Sequence, residues 1–169
     1  MKTRIKRCLF LPILLVAALS HVAYGGDSAV NNIRPEQQAE TFTERQTSMK
    51  IRIRTDDRTI TATLIDSETT KDFVSLLPLI LTMNDLFGRE KFGHLPRAIS
   101  GGGKRTRTYE VGDVIYWSPG PDVAMYYRHD GQPIPSPGII VIGKIDSDVE
   151  ALNVPGSVKV TIELIKTQQ

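Results

Sequence analysis

From Met49 onward the chain settles into a two-residue rhythm. Met49, Ile51 and Ile53 alternate with Lys50, Arg52 and Arg54, and Ile60, Ala62 and Leu64 alternate with Thr59, Thr61 and Thr63. Such alternation marks half-buried strands, and Asp56-Asp57 between the runs supplies a turn, so a hairpin is predicted. Thr69-Thr70-Lys71-Asp72 fits a helix start, with a hydroxyl cap and an acid three residues on. Phe73, Leu76 and Leu77 then share one helical face, and Pro78 limits the helix. Leu79 to Met83 reads as a short apolar strand.

The middle is looser, punctuated by Gly88, Gly93, Pro96 and the triple glycine 101–103. Strand signals return at Val114–Trp117 and Val123–Tyr127. Ile139 to Ile145 is apolar except at Gly143 and Lys144, as a strand buried on both faces would be. Asp146-Ser147 can cap a single turn through Val149 to Leu152, and Val158, Val160, Ile162 and Leu164 alternate with polar residues at the end. About seven strands with one or two short helices and no internal repeat predict a closed or nearly closed barrel, its ends plugged by the helices.

The residues before this domain change the picture of where it works. Residues 1–7 carry Lys2, Arg4, Lys6 and Arg7 without an acid, Cys8 to Leu19 is almost wholly apolar, and small residues follow near Ala23 and Gly25. That order is a secretory signal peptide, residues 1–25, with cleavage expected after Gly25. The apolar run falls short of the ~20 residues of a membrane-spanning helix, although an uncleaved N-terminal anchor is the alternative. Residues 26–48 are polar and without period and read as a flexible spacer, which leaves 49–166 as the folded domain. An exported chain, periplasmic or secreted, with no integral membrane segment after cleavage, is the expectation.

Cleavage removes Cys8, the one cysteine, and with it any disulfide, thiol nucleophile or thiolate metal ligand. It also reverses the charge: Lys plus Arg falls from 21 to 17 against 19 acids, so the net charge becomes 17 − 19 = −2. A basic surface for nucleic acid is therefore not expected.

Several segments resemble the cyclophilin family. Ile139-Ile140-Val141-Ile142-Gly143-Lys144-Ile145 followed by Val149-Glu150-Ala151-Leu152 is similar to the strand and helix that close the cyclophilin barrel. The turn Ser118-Pro119-Gly120-Pro121 and the strand ending Tyr126-Tyr127 resemble its Gly-Pro turn and double-aromatic strand. Taken whole, Met49 to Leu164 resembles short bacterial cyclophilin-like domains, many of unassigned function, through Asp72 to Pro78, the Gly112-Asp113-Val114 segment and the Gly143–Leu152 segment. The resemblance implies a mainly β fold: an eight-stranded antiparallel barrel with one or two short capping helices and a shallow cleft on its side. In the enzymes of that family the cleft holds a peptide proline, and an arginine polarises the prolyl amide to lower a rotation barrier of roughly 18–20 kcal/mol. No cofactor, metal or nucleophile is needed.

Carried over residue by residue, the resemblance puts Arg97 at the place of the catalytic arginine, Tyr127 at that of a pocket phenylalanine, and Met125 where the strand carries a glutamine. Ile139 takes the place of the pocket histidine, and the loop Asp130 to Pro135 lacks the tryptophan. The ligand cleft expected from these positions is Arg97, Met125, Tyr127 and Ile139, with Arg97 catalytic only if the chain is an isomerase.

Each candidate also has a plainer reading. Arg97 offers a planar fork of donors for a carbonyl or carboxylate, or is a surface arginine paired to a local acid. His94 and His129 show no metal-type spacing and read as solvated loop histidines. Gly101-Gly102-Gly103-Lys104-Arg105 imitates a phosphate loop, but Ala98 replaces the first glycine and Arg105 the Ser or Thr, so a flexible basic loop is expected. Tyr116 and Trp117, and Tyr126 and Tyr127, must point to opposite faces of their strands, so one ring of each pair enters the core and the other faces solvent or cleft. A barrel that matches around a pocket that does not predicts a binding module for a peptide or small molecule without robust isomerase activity. A peptidyl-prolyl isomerase acting on exported proteins is the alternative, so enzyme status stays open.

Overall fold

A computed structural model describes residues 48–166; the expected signal peptide and all but Ser48 of the expected spacer lie outside them. Strands β1 (Lys50–Arg54) and β2 (Thr59–Leu64) form the first hairpin. Helix α1 (Glu68–Val74) follows, then β3 (Leu79–Leu86), β4 (Glu90–His94), the two-residue β5 (Arg105–Thr106), β6 (Asp113–Trp117) and β7 (Asp122–Tyr126). The chain ends with β8 (Ile139–Ile145), a 3-10 turn (Val149–Leu152) and β9 (Val158–Ile165).

Eight strands run in the order β2-β1-β9-β3-β4-β7-β6-β8, each antiparallel to its neighbour, and β8 pairs back to β2. The ring closes into the expected barrel and leaves no free edge. Closure depends on Gly143, which faces Leu64 across the seam. A Cβ there would lie 2.8 Å from Leu64 Cδ2 and 2.9 Å from the Thr63 carbonyl oxygen. The glycine of the apolar run is thus a close-approach residue.

The barrel interior is filled by Ile51, Ile53, Met83, Val114, Tyr116, Val123, Met125, Ile142, Val160 and Ile162, all nearly inaccessible. Phe73 of α1 and Leu152 of the 3-10 turn join the same core. A second, smaller cluster lies on the outer wall, built on Tyr109, Ile115, Ala124, Tyr126, Ile134 and Ile139.

Four details differ from the sequence expectation. The helix cap is Ser67, whose Oγ accepts from the Thr70 amide at 3.1 Å, rather than Thr69, and Leu76 and Leu77 follow the helix instead of extending it. The 3-10 turn is entered through Asp148 in a left-handed conformation without a side-chain cap. The loosely patterned middle contains β4, so His94 is a strand residue. The triple-glycine segment is tied down: Arg105 donates to the Gly138 carbonyl at 3.2 Å and to Ser118 Oγ at 3.0 Å. Gly103 lies so close to the barrel that a Cβ would come within 2.6 Å of Ile140.

Candidate functional site

Strand parity divides the chemistry of β4 and β7 between two faces. Register pairs Glu90 with Tyr126, Phe92 with Ala124 and His94 with Asp122, and these residues share the outer face. Lys91 pairs with Met125 and points inward. On the outer face the side chains of β4, β7, β6 and β8 line a groove of about 210 Å³. Its floor is Ala124, with Ile115 beside it on β6 and Phe92 on β4. The small alanine leaves the depression, because a larger residue at the centre would fill it.

The far wall comes from the loop after β7. Ile134 and Arg107 exchange two hydrogen bonds, Ile134 N–H to the Arg107 carbonyl and Arg107 Nε–H to the Ile134 carbonyl, both 2.8 Å. This pairing fixes Ile134 and Pro135 over Ile139 at the groove. At the near rim the β3–β4 turn places Phe87 at φ 55 and Gly88 at φ 62. A left-handed bulky residue is uncommon, and Phe87 is 76% exposed beside the groove.

Two buried acids mark the ends of the groove, offset by about 13 Å along the strands, the rise of four residues. Glu90 meets the guanidinium of Arg89 at 3.4 Å, and Arg89 also donates to Asp130 at 2.9 Å. The guanidinium lies over the rings of Phe87, Tyr109 and Tyr126 at 5.2–5.8 Å, while Tyr109 and Tyr126 stack at 3.9 Å. Burial raises the pKa of Glu90, and neither Tyr126 nor Arg89 offsets it fully. Burial also pushes the Tyr126 hydroxyl far above its ordinary range, and Glu90 pushes the same way. Asp130 is held down at about 2, first by the Gln132 amide and then by the Tyr109 hydroxyl.

The other end carries Asp122. Burial raises its pKa against the opposing pull of His94, whose Nδ1 lies against Oδ1. Trp117 faces Asp122 across the β6–β7 pair, and the ring of Phe92 meets that of His94 edge-on at 5.9 Å. His129, the second expected loop histidine, stacks on Tyr109 at 4.7 Å and accepts from the Gly131 amide.

The four cleft positions expected from sequence are not brought together. Ile139 lines the groove. Met125 and Tyr127 point into the barrel: Met125 is inaccessible, and Tyr127 Oη donates to Asp85 at 2.6 Å. Burial, with Asp85 beside it, raises the Tyr127 hydroxyl to about 12. Tyr126, one residue earlier, supplies the groove wall instead. Tyr116 enters the core and Trp117 lines the groove, the division that parity requires. Arg97 is not among the groove residues. It donates to Asp72 at 2.6 Å, to Ser75 Oγ and to the Ala98 carbonyl. The Arg97 hydrogen bond, with the Ser100 amide, holds Asp72 below its ordinary pKa. Glu90 and Phe92 escape the sequence reading because β4 itself does, whereas Asp122 and Ala124 sit on the expected strand β7 and become groove residues only through its register with β4. The alternation Glu90, Phe92, His94 against Lys91 and Gly93 was the available signal.

Comparison with known proteins agrees with this architecture. Residues 53–163 match the model of the cyclophilin-like family. The chain belongs to that family. Among solved structures, the cyclophilin-like barrel resembles the solution structure of a hypothetical protein from Archaeoglobus fulgidus, with a TM-score of 0.57 and 24% identity. The match covers 72% of this chain and 98% of that one, and at this identity it speaks to the fold alone. No curated protein matches the chain.

Proposed function

We propose that this chain is an exported cyclophilin-like module that binds a peptide or small ligand in its outer groove and lacks robust isomerase activity. The reading rests chiefly on one observation. The apolar groove lies on the outer wall, whereas Arg97, the arginine that family resemblance offers for polarising a prolyl amide, is engaged with Asp72 away from its lining. Arg89 does line the groove, but its guanidinium is engaged by Asp130 and Glu90 and covered by aromatic rings. An arginine misplaced by about 1 Å from the amide can cost on the order of a hundredfold in rate. Export is supported by the basic and apolar leader of residues 1–25.

The test is cis/trans exchange in an Xaa-Pro peptide followed by NMR. Little acceleration is expected, and Arg97→Ala should change it little. Strong catalysis abolished by Arg97→Ala or by Arg89→Ala, with the fold intact, would establish a peptidyl-prolyl isomerase instead.

A further inference from the structure

Asp122 is the polar group of the groove that the protein itself leaves least satisfied. It is 8% exposed, and the polar contact of its carboxylate is with His94, whose Nδ1 lies against Oδ1. Its ionisable neighbour, His94, is 70% exposed in its side chain and charged only when protonated. Buried carboxylates are ordinarily paired and hydrogen-bonded. At the opposite end Glu90 has Arg89, so the unmet demand for positive charge sits at the Asp122 end alone.

The surroundings narrow what could answer that demand. A metal ion would need more nitrogen or oxygen ligands than Asp122 and His94 supply, and no group of three His, Cys, Asp or Glu is gathered among the described residues. Trp117 and Phe92 line the groove beside Asp122, and aromatic faces attract organic cations. The groove, at about 210 Å³, admits one ring or a short alkyl stem over Ala124.

We propose that the groove binds a small protonated amine on an apolar stem, its ammonium seated against Asp122 between Trp117 and Phe92. The inference rests on the groove-binding reading and gives it a ligand class. The ammonium N–H groups meet the Asp122 carboxylate beside His94, the aromatic walls stabilise the charge, and the stem covers Ala124 and Ile115.

Trp117 is the single tryptophan of the chain and lines the groove, so its fluorescence reports occupancy. The purified chain is titrated with 2-phenylethylamine, 2-phenylethanol and phenylacetate, which share a ring and differ in head group. The amine should bind about tenfold tighter than the alcohol, the worth of a charge-assisted hydrogen bond. Phenylacetate should bind weakest. Asp122→Asn, its fold checked by thermal melting, should erase the amine's advantage, and Ala124→Leu should abolish binding of all three. Equal binding of amine and alcohol by the wild-type chain overturns the inference and leaves the groove reading standing. So does an advantage that survives in folded Asp122→Asn. If none of the three perturbs Trp117 or shifts the groove amides in NMR, the groove reading falls as well. The wild-type series decides the matter even if Asp122→Asn does not fold.

Discussion

The two faces of strand β4 treat their charges in opposite ways. Inward-pointing Lys91 is wholly buried, yet its Nζ donates to Asp85 at 2.9 Å, to the Gly156 carbonyl at 2.7 Å and to the Val154 carbonyl. Asp85 in turn accepts from Tyr127, first among the causes that hold its pKa below the ordinary range, and from the Gly88 amide. Every donor of that ammonium is used, and the network ties one end of the barrel to the segment before β9. Outward-pointing Glu90 and Asp122 are nearly as buried, but burial outweighs their partners and raises both pKa values. Satisfied buried charge is architecture; at Asp122, which has the exposed His94 in place of an arginine, buried charge beside an apolar depression is a demand for something else. The contrast, rather than the family match, separates the stabilising wall of the barrel from the wall proposed to bind ligand.

The largest effect should come from breaking the inner network. Lys91→Ala leaves Asp85 and two carbonyls without their donor, and should cost about 3 kcal/mol, read as a lower denaturant midpoint. Glu90→Gln, one residue away, removes a carboxylate that burial already disfavours and should cost no more than about 1 kcal/mol. Comparable losses from the two variants would erase the distinction between the walls.

A smaller change in stability, with a large change in binding, is expected from Ala124→Leu. The added methylenes enter an open groove rather than the packed interior, so the cost should stay below the ~1–3 kcal/mol typical of overpacking a core. Ligand-induced changes in Trp117 fluorescence should nevertheless vanish. Unaltered ligand binding in a folded Ala124→Leu protein would move the site off the groove.

How far the sequence reaches follows the same division. β1, β2 and the last strand are legible because the barrel interior demands an apolar residue at every second position, and Ile51, Ile53, Ile60, Ala62, Val160 and Ile162 meet that demand; β8 is legible as a continuous apolar run because both of its faces are buried. β4 was obscured because its inner face carries Lys91 and Gly93, so the alternation lacks the usual contrast. Parity showed that Tyr126 and Tyr127 part company, but both are aromatic, and only the register with Glu90 and Lys91 assigns Tyr126 to the groove. Arg97 is the opposite case: its resemblance to a catalytic residue is local, whereas the acid it pairs with, Asp72, lies 25 residues away on the helix and is set by the fold.

The smallest expected effect concerns pH. Asp130 is held at about 2 against an ordinary 3.8, so its contribution to stability is present above about pH 4 and lost as pH falls toward 2. Glu90 has the opposite sign: with its folded pKa raised above 4.5, stability declines as pH rises from that value through its folded pKa. Asp130→Asn should therefore flatten the acid limb of a stability-against-pH curve, and Glu90→Gln the limb above it. Swapped effects would reverse the assignment of the two groups.

The most direct test of the two-wall account is an amide chemical-shift map recorded while the chain is titrated with 2-phenylethylamine and, separately, with a proline-containing peptide. The account predicts perturbations centred on Phe92, Trp117, Asp122, Ala124, Tyr126 and Ile139, with Lys91 and Met125 nearly unmoved. Perturbations centred instead on Asp72, Arg97 and Ser100 would contradict it.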